Sequence, residues 1–159
     1  MSDLAEPFVP DDFTPPTGLD RPQFRLRPLG PEHNESDYAA WTSSFDHIHA
    51  TPGWKPDGWP REMTLDENRG DLEGDAADFA ARRGFTYTVL EPGSDTVIGC
   101  VYIYPDEPGP GARVLSWVRA ADAPLDRPLW QAVSDWLDTD WPFTRVVYAT
   151  RDEGRDLRG

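Results

Sequence analysis

"SWVRAADAPLDRPLWQAVSDWL", Ser116 to Leu137, reads as a strand that ends, turns and enters a helix. From Asp126 the apolar residues Leu129, Val133, Trp136 and Leu137 recur at helical spacing. Many α/β folds place glycines at such a junction and hold a phosphate on the free amides of the helix start. Here the junction holds Asp122, Pro124, Asp126 and Pro128. The two prolines have no N–H to give, and either aspartate can cap the helix with its own carboxylate, repelling a second anion. Arg119 and Arg127 offset part of that repulsion. The turn is therefore expected to cap its own helix.

Working outward, "TRVVYAT" (144–150) makes a last strand, so strand, helix and strand form a right-handed parallel crossover. Upstream, "FTYTVLE" and "TVIGCVYIY" flank the turn signal "PGSD" and read as a hairpin, with "ARVLSWVRA" as its third antiparallel strand. Val97, Val101 and Ile103 fall on one face of the second strand, Ile98, Cys100, Tyr102 and Tyr104 on the other, which predicts a central strand covered on both sides. Before the hairpin lie two helices. One steps through Tyr38, Trp41, Phe45 and Ile48. The other opens on a Thr64–Glu67 capping box, carries Leu65, Leu72, Ala76, Phe79 and Ala80 inward, and stops at Gly84. "TPGWKPDGWP" (51–60) is the loop between them. "QFRLRPL" alternates, with Phe24 and Leu26 on one face, and makes the first strand.

Residues 1–22, rich in Pro and Asp, read as an extended or disordered arm that Phe8, Val9 and Phe13 could pin to the body or to a second subunit. Residues 23–151 form the folded domain and 152–159 a polar tail. The resulting class is α+β, in α/β/α-type layers, with the order β-α-α-β-β-β-α-β around a mixed sheet.

Leu, Ile, Val and Phe make up only about a fifth of the 159 residues, and seven Trp and five Tyr make good part of that deficit. A net charge of −14 argues against nucleic acid and against an anionic membrane surface, whereas a cationic small molecule would be drawn in. The plainer reading of that charge is solubility. Cys100 is the only cysteine, so no internal disulfide forms and no metal site is expected. Without a long apolar run or a secretion pattern, a cytoplasmic protein is expected.

The element order, with the phrases "FTYTVL", "VIGCVYIYP", "SWVR" and "WPFTRVVYATR", resembles the GNAT (Gcn5-related N-acetyltransferase) superfamily over Phe24 to Arg151. The resemblance implies an N-acyltransferase that moves an acetyl group from acetyl-CoA to an amine. It departs from the family twice. The family's R/Q-x-x-G-x-G/A loop binds the acetyl-CoA diphosphate, yet the registers "RAADAP" and "APLDRP" carry no glycine, and none occurs from Ala112 to Glu153. The family also continues beyond its fifth strand with a helix and two strands. Here only a polar tail follows, so the fold is expected to be truncated there, or a second copy fills the gap in a homodimer through the edge near Val146–Tyr148.

Carried over from the family, backbone groups of Trp117 and Val118 would hold a pantetheine arm, and Arg119 and Arg127 would face the diphosphate. Ser116 and Tyr148 are the catalytic candidates, although a packed tyrosine is the plainer reading of Tyr148. Trp54, Trp59 and Tyr102 are candidates for a substrate pocket, with core-lidding aromatics as the alternative. His47 and His49 form an H-x-H without a third ligand, and Cys100 is expected to be a buried hydrophobe. The alternative to catalysis is a non-catalytic small-molecule or partner-binding protein that has lost the diphosphate site, the Pro-rich arm being one contact for a partner.

Overall fold

The structure, a computed structural model, describes residues 7–106 and 111–151. The polar tail, the start of the arm and most of the "PDEPGPG" loop lie outside the described residues.

Six strands form one mixed sheet in sequential order: β1 (Leu19–Arg21), β2 (Phe24–Pro28), β3 (Phe85–Leu90), β4 (Val97–Asp106), β5 (Gly111–Val118) and β6 (Arg145–Tyr148). Neighbours are antiparallel except β5 and β6, which run parallel. The helix α4 (Asp126–Asp140) makes the crossover between them. On one face Phe24, Leu26, Phe85, Ile103 and Val114 pack with Leu129, Val133 and Trp136 of α4. On the other, Cys100 and Trp117 pack with Trp41 of α1 (Asn34–Thr42), Ile48 of α2 (Phe45–His49) and Leu72 of α3 (Leu65–Ala80). The layers are therefore α/β/α, with β4 buried on both faces.

Local chemistry sets the boundaries. At α3, Glu67 N–H donates to Thr64 Oγ1 at 3.0 Å and Thr64 N–H donates to Glu67 Oε1 at 2.9 Å, a complete capping box. The helix expected to step through Tyr38, Trp41, Phe45 and Ile48 instead breaks at Ser43 and Ser44. Ser43 Oγ donates to the Ala40 carbonyl at 2.8 Å, and Ser44 Oγ accepts from Ala120 N–H at 2.8 Å. Hydroxyls that bond backbone groups compete with the helix ladder, and here they turn it.

Three other expectations are corrected. Leu65 is 39% exposed, and the inward face of α3 instead begins at Asn68, whose amide bonds pull that side toward α1. The alternation in β4 slips by one residue: Val97 joins Cys100 and Tyr102, while Ile98 joins Val101 and Ile103. The cause is a bulge, since Val89 pairs with Gly99 but Leu90 with Val97. The sheet also gains β1 from within the arm, through Leu19↔Leu26 pairing. The arm's described part is tied down by buried Val9, by Phe8 stacked on Phe85 and Phe143, and by the Tyr87 hydroxyl donating to the Pro16 carbonyl at 2.6 Å.

Candidate functional site

β6 follows β5 only from Gly111↔Arg145 to Val114↔Tyr148. Past that point the two strands part, and the Ser116 carbonyl is met by side chains instead of a strand. Trp54 Nε1 donates to it at 2.9 Å, and Arg151 Nη2 donates to it at 3.1 Å. The Arg151 side chain is only 3% exposed, and its other donors are also engaged: Nε to Asp126 Oδ2 at 2.8 Å and Nη1 to the Ala149 carbonyl at 2.8 Å. A rigid five-donor fork suits such a crowded place, where it spans a carboxylate and two carbonyls at once. Ser116 Oγ and the Tyr148 hydroxyl lie 2.6 Å apart, and burial pushes the Tyr148 hydroxyl well above its usual range. Gly53, at φ +96°, sits so close to this gap that a Cβ would lie 3.1 Å from Leu115 Cδ2. The 51–60 loop thereby packs onto the end of the cleft.

The helix entry differs from expectation. A short 3-10 helix (Ala120–Leu125) precedes α4, and neither aspartate caps it with a side-chain bond. Arg119 Nε takes Asp122 Oδ2 at 2.7 Å, and Arg151 takes Asp126. The arginines neutralise the carboxylates more effectively than the backbone amides, which have other oxygens to bond. Ala120 N–H goes to Ser44 Oγ, Asp122 N–H to the Arg119 carbonyl and Asp126 N–H to the Ala123 carbonyl. Arg127 follows on the first turn of α4. Trp117 and Val118 are fully buried, and Trp117 Nε1 donates to the Tyr102 hydroxyl at 3.1 Å.

Trp54, Trp59 and Tyr102 come together on a second feature, a cavity of about 560 Å³ between α3 and the β4–β5 face of the sheet. Trp54 stands 5.4 Å from Trp59 and edge-on to Tyr102 at 5.8 Å, ring centre to ring centre. His49 Nε2 lies 3.1 Å from the Gly58 carbonyl and 2.8 Å from that of Pro60, so it anchors the roof loop. Leu29, Leu72 and Leu115 supply apolar wall. The lining also holds Asp37 on α1 and Asp71, Asp75 and Asp78 on α3, with Gly70 and Gly74 leaving the helix face bare between.

The electrostatics of this cavity are unusual. Asp37 is 4% exposed and held by Asn68 Nδ2 at 3.1 Å; burial pushes its carboxyl up to about 6, despite that bond. Burial also pushes Asp75 up to about 6, against the pull of the Tyr104 hydroxyl, which donates to it at 3.2 Å. Asp78 pairs with Arg83 at 2.9 Å. Among the described residues, no ion pair reaches Asp37, Asp71 or Asp75. Among the described residues the one guanidinium on the cavity wall, Arg113, is paired with Asp106 at 3.1 Å.

Cys100 is fully buried, and burial pushes its thiol up, as a core residue requires. Arg151 and the four aspartates were not among the sequence candidates. The spacing Asp71, Asp75, Asp78 at i, i+4, i+7 with Gly70 and Gly74 was available as one face of a helix. For Arg151 there was no signal, because its role depends on a strand end meeting a helix start from elsewhere in the chain.

No protein-family model and no curated protein matches the sequence. Solved structures do match in fold. The ribosomal-protein-S5-alanine acetyltransferase from Vibrio fischeri superposes with a TM-score of 0.67 over 89% of this chain and 79% of that one, at 14% identity. A ribosomal L7/L12 alpha-N-protein acetyltransferase gives 0.64 over 89% and 75%, at 13% identity. The microcin C7 self immunity acetyltransferase MccE, solved with acetyl-CoA and AMP, gives 0.63 over 91% and 79%, at 13% identity. The chain has the GNAT acetyltransferase fold.

Proposed function

We propose that this chain uses the GNAT fold as a non-catalytic binding scaffold, taking a small molecule in the cavity under Trp54 and Trp59. The observation that carries this reading is that Arg151, beyond the end of the β5–β6 pairing, bonds both the Ser116 carbonyl and Asp126. A pantetheine arm needs free backbone groups on the parted strands, but the Ser116 carbonyl already accepts from two side chains. A diphosphate needs free amides at the helix entry. There Ala120, Asp122 and Asp126 are engaged, Pro124 and Pro128 have none, and two paired carboxylates stand in the way. These residues do not fit the diphosphate of acetyl-CoA.

Acetyl transfer from acetyl-CoA to an amine is the second reading, favoured by the fold shared with MccE, which was solved with that cofactor. Fold alone does not carry an activity across. Thermal unfolding read by Trp fluorescence separates the two. Saturation at a hundred times the dissociation constant adds about 2.7 kcal/mol of stability, a shift of several degrees. The scaffold reading expects no shift with millimolar acetyl-CoA. A shift of several degrees returns the chain to the transferase reading.

A further inference from the structure

The last strand, β6, closes the sheet, and among the described residues no strand pairs with its outer side. On such an edge alternate residues turn their N–H and C=O groups outward, a template for one more strand. Proteins usually guard an edge with lysine, proline, a bulge or a covering element. Here β6 reads Arg-Val-Val-Tyr, and its one charged residue, Arg145, is held by Asp106 at 3.0 Å. Val146 and Val147 are 38% and 37% exposed; as neighbours in a strand they lie on opposite faces, so the edge is apolar on both.

On the α4 side a groove of about 380 Å³ runs between helix and strand, lined by Trp130, Leu137, Val146 and Tyr148 and by Asp135 and Asp138 of the helix. Trp130 singles this groove out. The other six tryptophans each contact another ring, whereas Trp130, half-buried, has no ring contact and no hydrogen bond among the described residues. A half-buried indole with its N–H unused is the kind of side chain that anchors a partner.

Charge decides which partner. Among the described residues no ion pair reaches Asp135 or Asp138, both exposed, and Arg145 is already taken by Asp106. A second copy paired edge to edge about a two-fold axis would carry its own Asp135 and Asp138 to the same side of the joined sheet, on a chain that is itself at −14. An extended basic segment meets opposite charge instead, and strand addition needs only a few residues.

We propose that the free edge of β6, with the groove lined by Trp130, takes an extended strand of a partner protein, apolar at its centre and basic at its ends. The inference goes beyond the scaffold reading: it concerns the outer side of β6 and stands or falls without acetyl-CoA.

The test is fluorescence anisotropy of the whole chain at pH 7.5 with a labelled heptapeptide, a central Val-Ile-Val flanked on each side by two lysines. It is expected to saturate with a dissociation constant below about 1 mM. Two counterparts, one with glutamates for the lysines and one with the three central amides N-methylated, are expected to bind at least about tenfold more weakly. Trp130→Ala is expected to lose at least about tenfold, and Asp135→Asn with Asp138→Asn, at two exposed positions, about threefold or more. No saturation up to 1 mM overturns the inference. So does equal binding of either counterpart, or undiminished affinity in both variant proteins. Sedimentation of the chain alone is expected to give a monomer; a dimer that Val147→Lys breaks would place a second copy on this edge and overturn the inference as well.

Discussion

Arg151 Nε donates to Asp126 Oδ2 at 2.8 Å, tying the residues after the last strand to the first residue of α4 across the gap where β5 and β6 part. The same guanidinium reaches the Ser116 carbonyl at 3.1 Å, so one side chain links the end of β5 to the start of α4.

Arg151→Ala removes that link and leaves Asp126 and two carbonyls short of a donor. Breaking a buried pair by deleting one partner costs about 3–5 kcal/mol, and partial water access at Asp126 places the loss near the lower end. Arg151→Lys is expected to recover only part of it, because an ammonium cannot reproduce the fork. Urea unfolding of the three proteins measures this. A loss under about 0.5 kcal/mol for Arg151→Ala would show that the link is incidental.

Asp37 makes stability depend on pH in a direction opposite to most carboxylates. Its folded value of about 6 lies above the ordinary 3.8, so the folded state binds the proton more tightly. The cost of charging it is absent below about pH 4, grows between 4 and 6, and is fully present at neutrality, where a shift of that size amounts to about 3 kcal/mol. Asp75 acts in the same direction. Asp106 is held below its usual range by the hydrogen bond from Arg145, so it acts the other way and only below its ordinary value near 4. The ligand-free chain should therefore become more stable as pH falls from 7 to 5. Asp37→Asn should flatten that slope and unfold at a higher temperature at pH 7. The same slope in wild type and variant would contradict the assignment.

Gly99 sits at the β4 bulge, where a Cβ would run into the Trp117 carbonyl oxygen of β5. Backbone cannot step aside as a side chain can, so Gly99→Ala is expected to destabilise by about 2 kcal/mol or more through strain in the two central strands. Denaturant unfolding reads the change directly. A neutral result would mean that the strands separate at little cost.

How much of this was legible beforehand depended on whether the signal was local. The Thr64–Glu67 box, the alternation of Phe24 and Leu26 and the strand–helix–strand crossover are periodic or adjacent in the chain, and they led to the right elements. The bulge at Gly99 was hidden because a one-residue slip leaves composition unchanged while it exchanges the faces of Val97 and Ile98. The break at Ser43–Ser44 depends on Ala120, far along the chain. At the helix entry the acidic residues were seen, but their partners were not. Arg119 and Arg151 take the carboxylates that a helix cap would otherwise use. The loop and strand positions of Trp54, Trp59 and Tyr102 point to one pocket, and the three do share one cavity, whereas the carboxyls that line it with them emerge only once α1 and α3 are packed on the sheet.

The most direct measurement is isothermal titration of acetyl-CoA into the wild-type chain at pH 7.5, carried to 1 mM. The account predicts no saturable heat, because Arg151 and Trp54 hold the Ser116 carbonyl, the Ala120, Asp122 and Asp126 amides are engaged, and Pro124 and Pro128 have no amide to give. A dissociation constant tighter than about 100 μM, some 5.5 kcal/mol of binding, would contradict it and show that the cleft opens for the cofactor.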